Sequence, residues 1–178
     1  LIGKLITQLY CACKNSFCKR WGKRQMNKQN MRVLILGARA PVCLEWARAF
    51  RSVGAYVCVA DSLSVPLARF SRSMNHFVKL PCAATDTRAW LDALIQVIRE
   101  QSIDILLPTC EEVFYVSHCL PQLSLHCRVP VMGFEYMQRL HHKGQFAELT
   151  QDFEVRAPET HLLRSKSDLG RFVSDSQN

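Results

Sequence analysis

Residues able to do chemistry fall into four short clusters, most of them at the end of an apolar run. Gly37 and Arg39 follow Met31-Arg-Val-Leu-Ile-Leu. A glycine there permits a tight turn. Arg39 is placed either to meet an anion beside the free amides of a following helix or to pair with an acid. Asp61 closes a second apolar run, Tyr56 to Ala60. Glu111 and Glu112 follow Pro108-Thr109-Cys110 after a third. Two acids on a first helical turn satisfy the helix macrodipole with no further role, or else they contact a substrate ammonium or a neighbouring domain across a crevice. Last comes His141-His142-Lys143. Adjacent histidines project in different directions, so a shared metal is not expected, whereas Lys143 at the start of a new helix suits a phosphate.

An opening glycine with an acid about twenty residues later matches part of the dinucleotide-binding fingerprint, but Arg39 and Pro41 stand where that loop needs small residues. The chain has nine cysteines. Cys43, Cys58, Cys110 and Cys119 fall within expected strands or helices, where cysteine acts as a small buried hydrophobe. The odd count without paired spacing argues against a disulfide framework. Cys11, Cys13 and Cys18 have poor zinc spacing and no nearby histidine, and no metal site is expected.

These clusters must be positioned by alternating strands and helices. Pro41 suits a first helical turn, Leu44, Ala47 and Phe50 recur at helical spacing, and Gly54 ends that helix before Tyr56–Asp61. A loop or short helix leads to His76–Leu80, a strand placed near an edge by Pro81. Thr85 or Asp86 caps a helix whose apolar stripe is Trp90, Leu94, Val97 and Ile98. Ile103–Leu107 is the next strand, a short helix starts at Glu111, and Arg128–Met132 is a further strand before Gly133. The expected architecture is α/β, a doubly wound parallel sheet with right-handed crossovers. In such a sheet ligands bind beyond the carboxyl ends of the strands, so Gly37–Pro41, Asp61–Ser62, Pro108–Glu112 and Gly133 are expected to face one crevice. Beyond it the sequence predicts helices over Glu135–His142 and Gly144–Gln151, a new strand within Val155–Leu163, and a helix over Ser165–Val173.

The net charge of +8 comes mostly from the head of the chain. Seven of the 23 basic residues and no acid precede Met31, which leaves sixteen basic against 15 acidic residues in the body. The folded body therefore carries no nucleic-acid footprint. Residues 1–30 read as a basic leader upstream of a biological start at Met31, or as an amphipathic surface or targeting segment with Leu1, Leu5 and Leu9 on one face. No stretch is long and apolar enough to span a bilayer, and a reducing cytoplasm is the expected compartment.

The ordered segments Val-Leu-Ile-Leu-Gly-Ala, Val-Ala-Asp-Ser, Asp-Ile-Leu-Leu-Pro-Thr-Cys-Glu-Glu-Val, Val-Pro-Val-Met-Gly, Leu-His-His-Lys-Gly-Gln-Phe-Ala-Glu-Leu and Ala-Pro-Glu-Thr resemble the amino-terminal region of ATP-grasp proteins. They are similar to relatives of the carbamoyl phosphate synthetase large subunit and of biotin carboxylase, over Arg32 to Leu163. The resemblance implies a Rossmann-like preATP-grasp domain over 31–133 and the truncated start of an ATP-binding domain over 134–178. It further implies ATP-dependent ligation, in which a carboxylate becomes an acyl phosphate and is attacked by an amine or other nucleophile. ATP and Mg²⁺ belong to the full-length parent, and the isolated chain is expected to use neither. Lys143 is the one cofactor-binding position carried over, as a phosphate contact, although His142 replaces the family's usual acid. Gly37, Arg39, Asp61, Glu111 and Glu112 are the substrate-crevice candidates, and the catalytic residues lie outside these motifs. Implied partners are a carboxyl-terminal ATP-grasp domain, a small carboxylate substrate and a second copy of the chain. The competing expectations are a stand-alone Rossmann-like NAD(P) domain, favoured by Asp61, and a noncatalytic binding domain.

Overall fold

The computed structural model describes residues 31–150 and 160–175. The expectations for residues 1–30 lie outside that range. The chain forms two compact units, the first ending at Val131 and the second beginning at Met132.

The first unit is a parallel sheet covered on both faces. Its strands are β1 (Arg32–Leu36), β2 (Tyr56–Asp61), β3 (His76–Lys79) and β4 (Ile105–Pro108), in the order β3-β2-β1-β4, with every pairing parallel. Strands of this kind carry apolar side chains on both faces, because helical crossovers leave neither face to water. The period of two splits β1 cleanly. Val33 and Ile35 enter one core layer, with Cys43, Ala47 and Phe50 of helix α1 (Pro41–Ser52). Leu34 and Leu36 enter the other, with Trp90, Leu94, Val97 and Ile98 of helix α2 (Thr87–Glu100). Each fully buried Val, Leu or Ile contributes about 1.5–3 kcal/mol, so β1 alone anchors both layers.

Local chemistry sets the boundaries. Pro41 begins α1, and Gly54 follows its end at φ +82°. Asp86 caps α2, accepting the Ala89 amide at 2.8 Å. At the other end of α2, Ser102 adopts a left-handed φ of +46° while the Ile103 amide returns to the Ile98 carbonyl at 2.9 Å. Between β2 and β3 the loop tightens into a 3₁₀ turn at Leu67–Phe70, and β3 lies at the sheet edge as expected. Past β4 come α3 (Glu112–His118) and the single turn α4 (Leu120–Leu123).

One expected strand is absent. Arg128–Met132 makes only an isolated bridge, with Arg128 opposite Ile105. Pro130 has no amide to give a ladder, and the Val131 amide turns back to the Val129 carbonyl at 2.9 Å. The segment still flanks the core, since Val129 and Val131 pack against it.

The second unit contains α5 (Phe134–His141), α6 (Lys143–Thr150) and α7 (Lys166–Asp175). Of the strand expected within 155–163, residues 160–163 are described and are not extended in any sheet; the rest lies outside the described residues. No described residue of this unit is buried, and Tyr136, Phe146, Leu162 and Phe172 are exposed. Among the described residues no helix is long and apolar enough to cross a membrane.

Candidate functional site

The strand order reverses direction between β1 and β4, and a cavity of about 260 Å³ opens at their carboxyl ends. Such a switch point is where parallel α/β sheets leave room for a ligand, because the loops of neighbouring strands run to opposite faces.

Gly37 lies just beyond Leu36, which lines the cavity, and makes the turn out of β1 possible. Its φ is +81°, and a Cβ built on it would lie 2.8 Å from Thr109 Oγ1. That hydroxyl donates to the Leu36 carbonyl at 2.6 Å, tying the end of β4 to the end of β1. The turn is fixed from the other side as well, where the Gly37 amide donates to the Ala60 carbonyl at 3.1 Å. A side chain at Gly37 would disturb the turn and the Thr109 clasp and press on the Glu112 carboxylate, 3.4 Å from a Cβ there.

Arg39 occupies the centre of this end of the sheet. Its backbone amide donates to Asp61 Oδ2 at 2.8 Å and its Nη1 to Asp61 Oδ1 at 3.0 Å. Its Nη2 meets Glu112 Oε1 at 2.6 Å and lies 3.8 Å from Glu111 Oε2. The guanidinium is 35% exposed, whereas the Asp61 side chain is 0% exposed and Glu112 15%. Partial burial works against the charge on Arg39, but the hydrogen bond and field of Glu112, followed by those of Asp61, outweigh it and hold the guanidinium above its ordinary pKa. Of the two roles the sequence allows Arg39, the structure shows the acid pair.

Asp61 is fully engaged. Besides Arg39 it accepts the Leu63 amide at 3.0 Å, which shapes the loop leaving β2. Glu112 is not fully engaged: its Oε2 is buried and has no hydrogen-bond partner. Glu111 stands at the rim, 81% exposed.

The structure thus brings Gly37, Arg39, Asp61, Glu111 and Glu112 to one place. It adds residues the sequence reading did not place there. Trp90, expected only as part of a helical stripe, is 2% exposed and also lines the cavity. Tyr115 lies one helical turn beyond Glu111 and Glu112, and its ring centroid is 6.1 Å from that of Trp90 at 58°. The loop Pro81–Ala84 forms the remaining lip. The i, i+3 and i, i+4 spacing of Tyr115 from the two acids was the available signal for that residue. Gly133 opens α5 in the second unit, and every residue lining the cavity belongs to the first.

The thiols divide by environment. Burial pushes Cys43 and Cys58 up to about 12, and Cys119 is also raised by burial, as expected of cysteines acting as hydrophobes. Cys110 departs from that expectation: it lies in the loop before α3 and is only half-buried. Cys82 is exposed at the cavity lip, and its thiol is held below the usual range by the amides of Ala84 and then Thr85.

Lys143 heads α6 and is exposed. His142, immediately before it, accepts the Gln145 amide through Nδ1 at 3.3 Å and so caps the helix. A carboxylate is not needed for that capping role, which accounts locally for the histidine.

No family model matches the sequence, and no curated protein does. Solved structures do match its fold. N5-carboxyaminoimidazole synthetase from Staphylococcus aureus, solved with ADP, superposes with a TM-score of 0.61 at 16% identity, over 84% of this chain and 37% of that one. L-amino acid ligase from Bacillus licheniformis gives 0.61 at 18% identity, over 80% and 34%. The biotin carboxylase domain of a single-chain bacterial carboxylase gives 0.56 at 21% identity, over 83% and 34%. The chain therefore spans about a third of the length of each. The shared fold is the Rossmann-like α/β arrangement expected of a preATP-grasp domain.

Proposed function

We propose that this chain is the amino-terminal region of an ATP-grasp ligase, which activates a carboxylate as an acyl phosphate for attack by an amine or other nucleophile. The observation that carries this reading is the fold likeness, extending over about four fifths of the chain, to a synthetase, a ligase and a carboxylase domain. The ordered segments from Val33 to Thr160 that resemble the same family support it independently.

In this reading the first unit supplies a rigid wall for substrate, and ATP with Mg²⁺ supplies the phosphoryl group when bound. Lys143 is the residue assigned to the nucleotide: an exposed ammonium at the head of α6 is free to meet a phosphate, and His142 already satisfies the Gln145 amide beside it. The described residues do not fit Mg²⁺. Ligand atoms of Cys110, Glu111 and Glu112 lie within 4.8 Å of one another, but one is a thiol and Glu112 is bonded to a guanidinium. Mg²⁺ demands oxygen ligands in octahedral array, and Arg39 would repel it.

The dinucleotide reading loses its footing at Asp61. A ribose-binding acid must offer free oxygens, and both oxygens of Asp61 are occupied by Arg39 and Leu63. Trapping with hydroxylamine tests the ligase reading. The protein, expressed with its surrounding coding sequence and given MgATP and a pool of small carboxylates, should form a hydroxamate with stoichiometric ADP. Absence of hydroxamate and ADP would defeat the ligase reading, and micromolar NAD(P) binding lost in Asp61→Ala would replace it with a dinucleotide role.

A further inference from the structure

The loop between β2 and β3 reverses the ordinary rule of burial. Leu63, Val65, Leu67 and Phe70 are each at least half exposed, Phe70 at 73%, while the smaller Pro66 and Ala68 among them are buried. Loose packing does not account for this, because the backbone is fastened at both ends of the turn. The Ala68 amide donates to the Ala38 carbonyl at 2.8 Å, the Ser71 amide to the Ala68 carbonyl at 3.1 Å and the Asn75 amide to the Val57 carbonyl at 2.7 Å. Arg69 Nη1 donates to the Ser64 carbonyl across the loop. Within the 3₁₀ turn residues three apart eclipse, so Leu67 and Phe70 stand side by side on its outer face.

Fixed, exposed apolar side chains this close together mark a contact surface. Charge then indicates the partner. Over residues 62–85 the chain has no acid and carries Arg69, Arg72 and Lys79, all exposed. Helix α1, which packs on the same core layer as Ala68, adds Arg51, bonded to Asn75 at 3.3 Å, and its one acid, Glu45, is already paired with Arg48 at 2.6 Å. Asp61, where the loop begins, is buried against Arg39. A two-fold contact between copies would bring this patch against itself and set arginine near arginine. A nucleic-acid backbone would meet the arginines but offer nothing to the aliphatic side chains. A lipid surface of negative charge suits both, since its headgroups pair with the arginines and the boundary beneath them takes up the apolar groups. The head of the chain, with seven basic residues and no acid before Met31, is attracted to the same surface.

We propose that the loop 62–72 docks this protein on an anionic lipid surface, with Leu63, Val65, Leu67 and Phe70 entering the headgroup boundary and Arg69 and Arg72 at the headgroups. The docking does not rest on the ligase reading, and acyl-phosphate chemistry neither supports nor weakens it.

Vesicle co-flotation of the 178-residue chain at neutral pH and about 0.15 M salt tests it. Phosphatidylcholine vesicles containing phosphatidylserine should bind the chain about tenfold or more tightly than phosphatidylcholine alone. The double variant Leu67→Ser, Phe70→Ser, with the head and every arginine intact, should weaken that binding about tenfold, and Arg69→Gln with Arg72→Gln should do the same. Phe70→Trp should add blue-shifted emission on the anionic vesicles, quenched by brominated lipid, relative to the unaltered chain. The two-lipid comparison and the Phe70→Trp spectrum hold even if a serine or glutamine variant does not fold. No binding, or equal binding to both lipids, would overturn the proposal. Anionic binding that the serine pair leaves intact would assign the attraction to the basic head and overturn it as well. Binding by this chain that is lost in the protein with its surrounding coding sequence would make the loop an internal contact. Self-association abolished by the serine pair, without lipid binding, would give the face to a second copy; either result overturns the proposal.

Discussion

Gly37 shows how a single residue can determine a site without touching a ligand. Its positive φ costs a residue with a Cβ about 1–2 kcal/mol, and the clash with Thr109 Oγ1 puts a further hydrogen bond, worth about 0.5–1.5 kcal/mol, at risk. Gly37→Ala should therefore destabilise the first unit by about 2–3 kcal/mol in urea unfolding. Gly170, inside α7 with nothing within 4 Å of a built Cβ, supplies the opposite sign: Ala there should stabilise the helix by up to about 1 kcal/mol. The glycine turn was legible in the sequence, because an apolar run ending in Gly and followed by Pro admits few alternatives. The fate of Arg39 was not, since its choice between an anion and an acid depends on where Glu112 lies in space, 73 positions away in the chain.

At the scale of elements, periodicity located nearly every strand and helix of the first unit, and it failed where a run of apolar residues met a proline. Arg128–Met132 has the composition of a buried strand, but Pro130 and the local Val131 to Val129 turn remove the amides a ladder needs. Helix ends were better defined. Asp86, one of two cap candidates, is the one that accepts the Ala89 amide, and Asp86→Ala should cost about 0.5–2 kcal/mol in thermal or urea unfolding, with Thr85→Ala nearer zero. In α6 the sequence identified Lys143 but gave no reason for His142, whose capping of Gln145 becomes visible only in three dimensions. Lys143 is exposed, so Lys143→Ala should leave the melting temperature unchanged. In the longer protein it should raise the Michaelis constant for ATP or lower turnover about tenfold, as expected for a charge-assisted contact of about 1.5–3 kcal/mol. Unaltered ATP kinetics would remove Lys143 from the nucleotide site.

For the whole molecule, the sheet with both faces covered explains why cysteine is tolerated so deep in it. Burial pushes the Cys43, Cys58 and Cys127 thiols up to about 12. An unfolded thiol ionises near pH 8.5, so the folded state holds protons that the unfolded state releases. Stability from these groups is complete below about pH 8.5 and is lost as pH rises from there toward about 12. Melting temperature should fall across that window, and less steeply in Cys58→Ala; a flat profile to pH 11 would contradict the buried thiols.

The central claim, that this fold belongs to an enzyme making an acyl phosphate, is tested most directly by isotope transfer. The protein with its surrounding coding sequence would be given MgATP, an amine and a carboxylate labelled with ¹⁸O in both oxygens, and the released phosphate weighed by mass spectrometry. The account predicts one ¹⁸O in each phosphate formed, because the carboxylate oxygen that attacks the γ-phosphorus leaves with it when the amine displaces the acyl phosphate. Amide formation with unlabelled phosphate would contradict it.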